Sequence, residues 1–257
     1  TTSLKHLTMA YLTCVICYNK LNYDIHYYSF GRKMRVFKLF LRNSLALILI
    51  TAGLILLGSM VILVSFFEKE GRVAQWLFRL WVDIIIWTCG MKIRAEGMEN
   101  IDPARSYIVV ANHQSYMDIP ALAYVFPSRL RFIAKSSLLY IPFFGITMKR
   151  LGHAIINRGE RVKALKTVGE FIKNLRKGDS IVIFPEGTRS KDGRVGDFKK
   201  GALLLVVKSG LPVLPVAICG TRQVMPKGRF YVTPGEVRIK IGAPIDLANI
   251  KDLEKKP

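Results

Sequence analysis

From Ser44 to Phe67 the chain reads SLALILITAGLILLGSMVILVSFF, without one charged side chain. As a helix this run is about 36 Å long, against about 30 Å of hydrocarbon in a bilayer. A cleaved signal peptide fits poorly, because the apolar core is too long and it lacks a clear small-residue cleavage site. After the polar turn Glu68-Lys69-Glu70-Gly71 comes Arg72–Cys89, which carries Trp76, Trp81 and Trp87 among aliphatic residues. Arg79 and Asp83 lie four apart and can pair on one helix face. This second segment predicts an amphipathic helix at a membrane interface, a core helix against the rest of the chain, or both. Together the two segments predict a membrane-embedded helical hairpin over residues 44–90.

Arg32, Lys33, Arg35, Lys38 and Arg42 precede the apolar run and favour a cytoplasmic N-terminal side. Two full crossings would carry Arg79 and Asp83 into hydrocarbon, which is costly even for a pair. The expected arrangement is therefore a hairpin embedded in one leaflet. The length of the first segment argues the other way, since it is long enough to span. Residues 1–43 are expected to be an N-terminal extension and basic segment. Within it, 1–33 differ in character from the rest of the chain, and Met34 looks like a natural start.

From Met91 onward strand and helix patterns alternate. Strand-like runs fall at 92–95, 107–111, 131–134, 153–157, 180–184, 213–218 and 237–241. Val162, Leu165, Val168, Ile172 and Leu175 mark an amphipathic helix with Gly178 beyond its end, and a second centres on 202–207. The pattern predicts an α/β domain over 91–257, with a mixed, largely parallel sheet flanked by helices.

The formal charge is +21, from 39 Lys+Arg against 18 Asp+Glu. It is not confined to a tail: Pro127–Lys200 holds 17 basic and 6 acidic side chains, a net of +11. Such a field favours acidic partners. Nucleic acid is disfavoured, because the apolar segment ties the chain to a membrane and no zinc-finger or aromatic RNA-binding signature accompanies the charge. Four cysteines do not make a disulfide scaffold at this length, and Cys14-Val15-Ile16-Cys17 lacks the βαβ context of a redox motif. The four histidines have no metal-ligand spacing, so no metal is expected.

Two motifs carry chemistry. Asn112-His113-Gln114-Ser115-Tyr116-Met117-Asp118 follows the apolar run Val109-Val110-Ala111, and Ile119-Pro120 suits a first helical turn. His113 and Asp118 thus fall on a strand-to-helix connection. A carboxylate on one imidazole nitrogen fixes the tautomer and leaves the other nitrogen free as a base. The structural alternative is a cap, since Ser115 and Asp118 have capping-box spacing. The second motif, Phe184-Pro185-Glu186-Gly187-Thr188-Arg189-Ser190, also comes after a strand-like run. Gly187 permits close backbone approach, Thr188 and Ser190 offer hydroxyls, and Arg189 offers a planar fork suited to phosphate.

With both motifs in view, the chain resembles the glycerolipid acyltransferases, and within them those that acylate 1-acylglycerol 3-phosphate (lysophosphatidate). The family's N-H-x4-D block is met at Asn112–Asp118. Its Lys with Pro-aromatic-x-Gly is met at Lys135 and Pro142-Phe143-Phe144-Gly145, and its Gly…Arg block at Gly152–Arg158. F-P-E-G-T-R-S stands intact, and an apolar block with Pro appears at Val213–Ile218. The resemblance covers about residues 91–245.

It implies acyl transfer from acyl-CoA or acyl carrier protein to the sn-2 hydroxyl of lysophosphatidate, giving phosphatidate, with no cofactor. His113 would be the general base and Asp118 its orienter. Arg189 with Gly187 and Thr188 would bind the acceptor phosphate, with Lys135 and Arg158 as further candidates. Glu186 cannot bind phosphate while ionised; it would position Arg189 or accept from a glycerol hydroxyl. Tyr140, Phe143 and Phe144 would line an acyl path or serve as plain core. The partners implied are the phospholipid bilayer, lysophosphatidate and the acyl thioester, at the cytoplasmic face of an inner or plasma membrane. Alternatives are a related acyltransferase using glycerol 3-phosphate or another lysophospholipid, and a non-catalytic protein that binds anionic lipid. A hydrolase is disfavoured because no Gly-x-Ser-x-Gly elbow is present.

Overall fold

The computed structural model describes residues 29–246, apart from Lys69 and Arg158. Helix α1 (Ser29–Val64) begins well before the apolar run. Met34–Arg42 contains no Gly or Pro and several strong helix formers, so the basic and apolar segments form one rod. The expected division between residues 43 and 44 falls inside it.

Helix α2 (Arg72–Cys89) has the bounds the sequence predicts. It folds back along α1: Trp81 Nε1 donates to the Ile50 carbonyl at 3.0 Å, and Arg42 Nε to the Thr88 carbonyl at 2.9 Å. A cation is favoured there by the unpaired carbonyls of the helix end. At the opposite end the Glu68 carboxylate accepts the N–H groups of Arg72 and Val73 at 2.7 and 2.9 Å. Leu77, Phe78, Val82, Ile85 and Ile86 on α2 are buried in the core of the following domain, while Trp76 and Trp87 remain exposed. The core-helix reading of this segment therefore holds.

Arg79 does not reach across to Asp83. Its Nη2 donates to the carbonyls of Phe126 and Pro127 at 2.7 and 2.8 Å, and Asp83 is exposed. Phe126 and Pro127 come just after a helix end, where carbonyls lack intrahelical donors, so they take the guanidinium.

Further ties bind the hairpin to the domain. The Asn43 amide donates to the Val232 carbonyl at 3.0 Å and accepts its N–H at 2.6 Å. In the hairpin turn the Glu70 carbonyl accepts from Arg129 and Arg176, both at 2.7 Å.

The domain is one seven-stranded sheet. Its strands are β1 (Met91–Glu96), β2 (Ile108–Ala111), β3 (Leu130–Lys135), β4 (Ala154–Ile156), β5 (Ser180–Ile183), β6 (Val213–Cys219) and β7 (Gly235–Ile241). They run in the order β1-β7-β6-β2-β5-β3-β4, with β6–β7 antiparallel and the other pairs parallel. All seven strand-like runs of the sequence are present. Period-two alternation splits them between two cores. Val109, Ala111 and Val182 face the α2 side, which also receives α3 (Asp118–Val125). Ile108, Val110, Ile181 and Ile183 face α5 (Arg161–Lys173) and α6 (Lys200–Ser209). Short α4 (Phe144–Arg150) abuts the hairpin, where Thr147 Oγ1 lies 3.5 Å from the Gly58 carbonyl, and α7 (Thr221–Val224) comes after β6.

β2, β5 and β3 are adjacent and parallel, so their C-terminal ends open on one edge. Ligand sites of open α/β sheets lie there. The opposite edge is fixed by Arg131 and Asp179, both almost fully buried and bonded at 2.6 and 2.8 Å. Breaking a buried pair leaves one uncompensated charge, so Asp179→Ala should cost about 3–5 kcal/mol. Denaturant unfolding in detergent should read that loss; a change near zero would show the pair to be replaceable.

Candidate active site

His113 lies two residues beyond β2, on the loop into α3. Its Nδ1 is 2.8 Å from Asp118 Oδ2. The same oxygen accepts the backbone N–H groups of Gln114 and Ser115 at 2.7 and 2.9 Å. Asp118 therefore does not cap its own helix; it gathers the loop ahead of it. Ser115 instead accepts the N–H of Met117 at 3.1 Å and donates to the Met225 carbonyl at 2.6 Å. With Nδ1–H engaged by the carboxylate, Nε2 carries the free lone pair. The imidazole is 15% exposed, enough to meet a substrate.

The second motif builds the same histidine from three sides. Phe184 stacks on the imidazole, ring centroids 4.0 Å apart at 16°. The Ser190 N–H donates to the His113 carbonyl at 2.8 Å. Glu186, 3% exposed, accepts the His113 N–H at 2.7 Å with one oxygen and the Gly196 N–H at 2.9 Å with the other. Glu186 does not bond to Arg189, the contact that one expected role required. It is buried, and its bonds are to backbone N–H groups, not to Arg189. Each of its two oxygens accepts one backbone N–H. Burial pushes its pKa above the ordinary 4.5, opposed by the two backbone hydrogen bonds.

Asn112 completes the brace. Its amide donates to the Ile218 carbonyl at 2.8 Å and accepts the Ile218 N–H at 2.7 Å, clipping the end of β2 to β6.

The Arg189 guanidinium carbon lies over the Tyr116 ring, 3.5 Å from its centroid. The negative face of the ring attracts the cation and holds it there. Gly187 has φ 69°, which lets the loop turn sharply beside Lys199. Thr188 is exposed, and its hydroxyl accepts from Lys227 Nζ at 3.1 Å; the same ammonium donates to the Arg189 carbonyl at 2.6 Å. Sequence reasoning missed Lys227. It sits far along the chain in Met225-Pro226-Lys227-Gly228, and nothing local marks it as part of this loop. Lys135 ends β3 beside the same opening and is exposed. Arg158 lies outside the described residues.

A cavity of about 710 Å3 starts at His113, Thr188, Arg189 and Lys135 and runs under the hairpin to Ile50, Trp81 and Val82. Beyond the polar mouth its walls are largely apolar, including Met117, Phe132 and Phe144. Phe144 is delivered there by the Pro142–Gly145 hook, in which Phe143 has φ 62°. Gly145 is needed in that hook because a Cβ would meet the Leu139 backbone at 2.5 Å. Phe143 and Tyr140 are themselves exposed and do not line the cavity, so the expected aromatic run contributes one residue, not three. His153 lies deeper along the wall. Complete burial, aided by the Arg131 charge, depresses its pKa to about 3, so it is neutral and accepts the Phe132 N–H at 3.2 Å. Among the described residues no cluster of His, Cys, Asp or Glu is arranged to hold a metal ion.

A polar mouth that holds a His–Asp pair thus opens on a long, largely apolar cavity. Residues 92–219 match the family model described as Acyltransferase. The 1-acyl-sn-glycerol-3-phosphate acyltransferase of Borreliella burgdorferi is 34% identical over 185 residues, covering 72% of this chain and 74% of that one. The chloroplastic 1-acyl-sn-glycerol-3-phosphate acyltransferase LPAT1 of Arabidopsis thaliana is 38% identical over 173 residues, 66% of this chain and 48% of that one. The crystal structure of the 1-acyl-sn-glycerophosphate (LPA) acyltransferase PlsC from Thermotoga maritima superposes with a TM-score of 0.71 at 33% identity. That match covers 85% of this chain and 95% of the other. The chain belongs to the acyltransferase family. It spans about half the length of the chloroplast relatives it matches, and about three quarters of the Borreliella one.

Glu186→Gln tests the brace. An amide keeps one acceptor but turns an NH2 group toward a backbone N–H. Small misplacements of reacting groups cost up to about 100-fold in rate, and a kcat loss of that order is expected. A carboxyl with a raised folded-state pKa contributes stability that is present below its ordinary pKa and lost as pH rises through the raised value. The wild type should therefore lose stability relative to Glu186→Gln as pH rises above 4.5. Parallel unfolding curves at all pH values would remove this account of Glu186.

Proposed function

We propose that the protein transfers a fatty acyl group from acyl-CoA or acyl carrier protein to the sn-2 hydroxyl of lysophosphatidate, giving phosphatidate. The observation that carries this reading is the His113–Asp118 contact of 2.8 Å at the mouth of a cavity that Thr188, Arg189 and Lys135 also line. His113 Nε2 removes the hydroxyl proton as the oxygen attacks the thioester carbonyl. The tetrahedral adduct expels the thiolate, and His113 returns the proton to it. Phosphatidate and free thiol leave, without a protein nucleophile, metal or cofactor. The acceptor phosphate is held by Arg189, with Lys135 and Thr188 beside it. The named relatives act on 1-acyl-sn-glycerol 3-phosphate, which supports this acceptor over glycerol 3-phosphate.

His113→Ala should abolish transfer with the fold intact. Asp118→Asn should cost up to about 10⁴-fold, the loss seen for the same change in a serine-protease triad. Arg189→Ala should raise KM for the phosphorylated acceptor far more than for the donor. The assay supplies labelled lysophosphatidate or glycerol 3-phosphate with each donor in turn. Near-normal turnover by His113→Ala, or release of free fatty acid, would refute the mechanism.

We further propose that the hairpin lies in the cytoplasmic leaflet of the membrane that holds the acceptor. Val36–Val64 is long and apolar enough to cross, and outward-facing Phe40, Leu47, Ile48, Leu56 and Leu63 are well exposed. The Glu70 carbonyl nevertheless bonds to Arg129 and Arg176 of the domain, so the turn stays on the domain's side. A cysteine placed at Gly71 should resist an impermeant thiol reagent applied from the outer face. Ready labelling there would establish a two-pass span.

A further inference from the structure

A second cavity, of about 320 Å3, lies between the hairpin turn and the end of α4, apart from the catalytic mouth. Its lining is mixed polar and apolar, and both signs of charge line it. The acids are all engaged. Glu68 accepts two backbone N–H groups of α2, Glu70 pairs with Arg72 at 2.7 Å, and Asp179 pairs with Arg131 at 2.6 Å and Arg129 at 3.0 Å. Of the bases that line it, Arg131 pairs with Asp179 and Arg176 donates to the Glu70 carbonyl, which leaves Lys149 and Arg150. Lys149 and Arg150 are exposed, and neither makes an ion pair among the described residues. Arg150 instead stands over the Phe66 ring, 4.5 Å from its centroid. Phe66 and Phe67 are 67% and 83% exposed, an apolar pair at the tip of the hairpin beside a cationic notch.

We infer that this notch is an anionic phospholipid site, in which Lys149 and Arg150 hold the headgroup phosphate while the acyl chains lie along Phe66 and Phe67. The inference rests on the one-leaflet placement of the hairpin. The occupant is defined by two features that must be met together. Two unneutralised cations ask for an anion, and adjoining exposed aromatics ask for hydrocarbon; inorganic phosphate supplies only the first. The Thr147–Gly58 contact joins α4 to α1, and the Arg150–Phe66 stack joins it to the turn. A lipid seated here would therefore fasten domain and hairpin to the leaflet together. The notch is separate from acceptor binding, because Lys149 and Arg150 do not line the catalytic cavity.

The test uses the full chain and vesicles of phosphatidylcholine, with and without phosphatidylglycerol. Basic residues near an anionic surface contribute about 1 kcal/mol each, so removing one should lower partitioning about 5-fold. Lys149→Gln with Arg150→Gln should cancel most of the gain that phosphatidylglycerol gives the wild type, and Lys149→Arg with Arg150→Lys should keep it. Lys163→Gln with Lys166→Gln, on α5 across the sheet, should also keep it. Detergent-solubilised turnover should be unchanged in every variant. Monomeric short-chain phosphatidylglycerol should protect the wild type against thermal unfolding, and inorganic phosphate should not. Equal partitioning by the Gln pair, equal losses in the α5 pair, or equal protection by phosphate would overturn the inference. Failure of the wild type to bind vesicles of phosphatidylcholine alone would instead count against the embedded hairpin.

Discussion

One carboxylate oxygen organises the site. Asp118 Oδ2 holds the imidazole of His113 and the backbone N–H groups of Gln114 and Ser115. Asp118 is wholly buried, so each bond is made where water does not compete, and bonds to a charged acceptor are the strong ones. The loop cannot open without stranding that oxygen. The imidazole cannot turn without losing it. The position and the tautomer of the imidazole are thus set by the same atom.

The F-P-E-G-T-R-S segment is then better understood as two devices. Its first half is architecture: Phe184 seats the imidazole and Glu186 pins the His113 backbone. Its second half faces outward, with Thr188 and the Arg189 guanidinium at the mouth. Lys227 steadies that outer half from another loop, and Tyr116 supplies the surface on which Arg189 lies. Burial raises the free-energy cost of ionising Glu186, and its two oxygens satisfy two backbone donors at the site.

The hairpin and domain behave as one body. Helix α2 is a core helix on one face, Asn43 and the turn are bonded to the domain, and the apolar cavity is closed by residues from both. An exposed apolar surface and a largely apolar cavity meet along the same two helices.

Much of this was legible in the sequence. Short apolar runs mark the seven strands and the Trp-bearing aliphatic pattern after the polar turn marks helix α2, so these elements were foreseeable. The His113–Asp118 spacing is local: five residues across a strand-to-helix turn bring the groups together, whatever the remainder does. That α1 includes Met34–Arg42 was not foreseeable from hydropathy, because this stretch is helical through propensity and not through apolarity. The burial of Glu186 and its bonds to backbone N–H groups were not foreseeable, because burial belongs to the fold; the same letter in an open loop would face solvent. Lys227, the Tyr116–Arg189 stack and the Asn112–Ile218 clip each join residues far apart in sequence or facing across loops. They depend on β2, β5, β3 and β6 assembling out of chain order. The sequence by itself determined which segments fold and which residue types are available for acyl transfer. The tertiary structure decided which of them face the cavity and which hold the others in place, because strand order and burial are set by long-range packing.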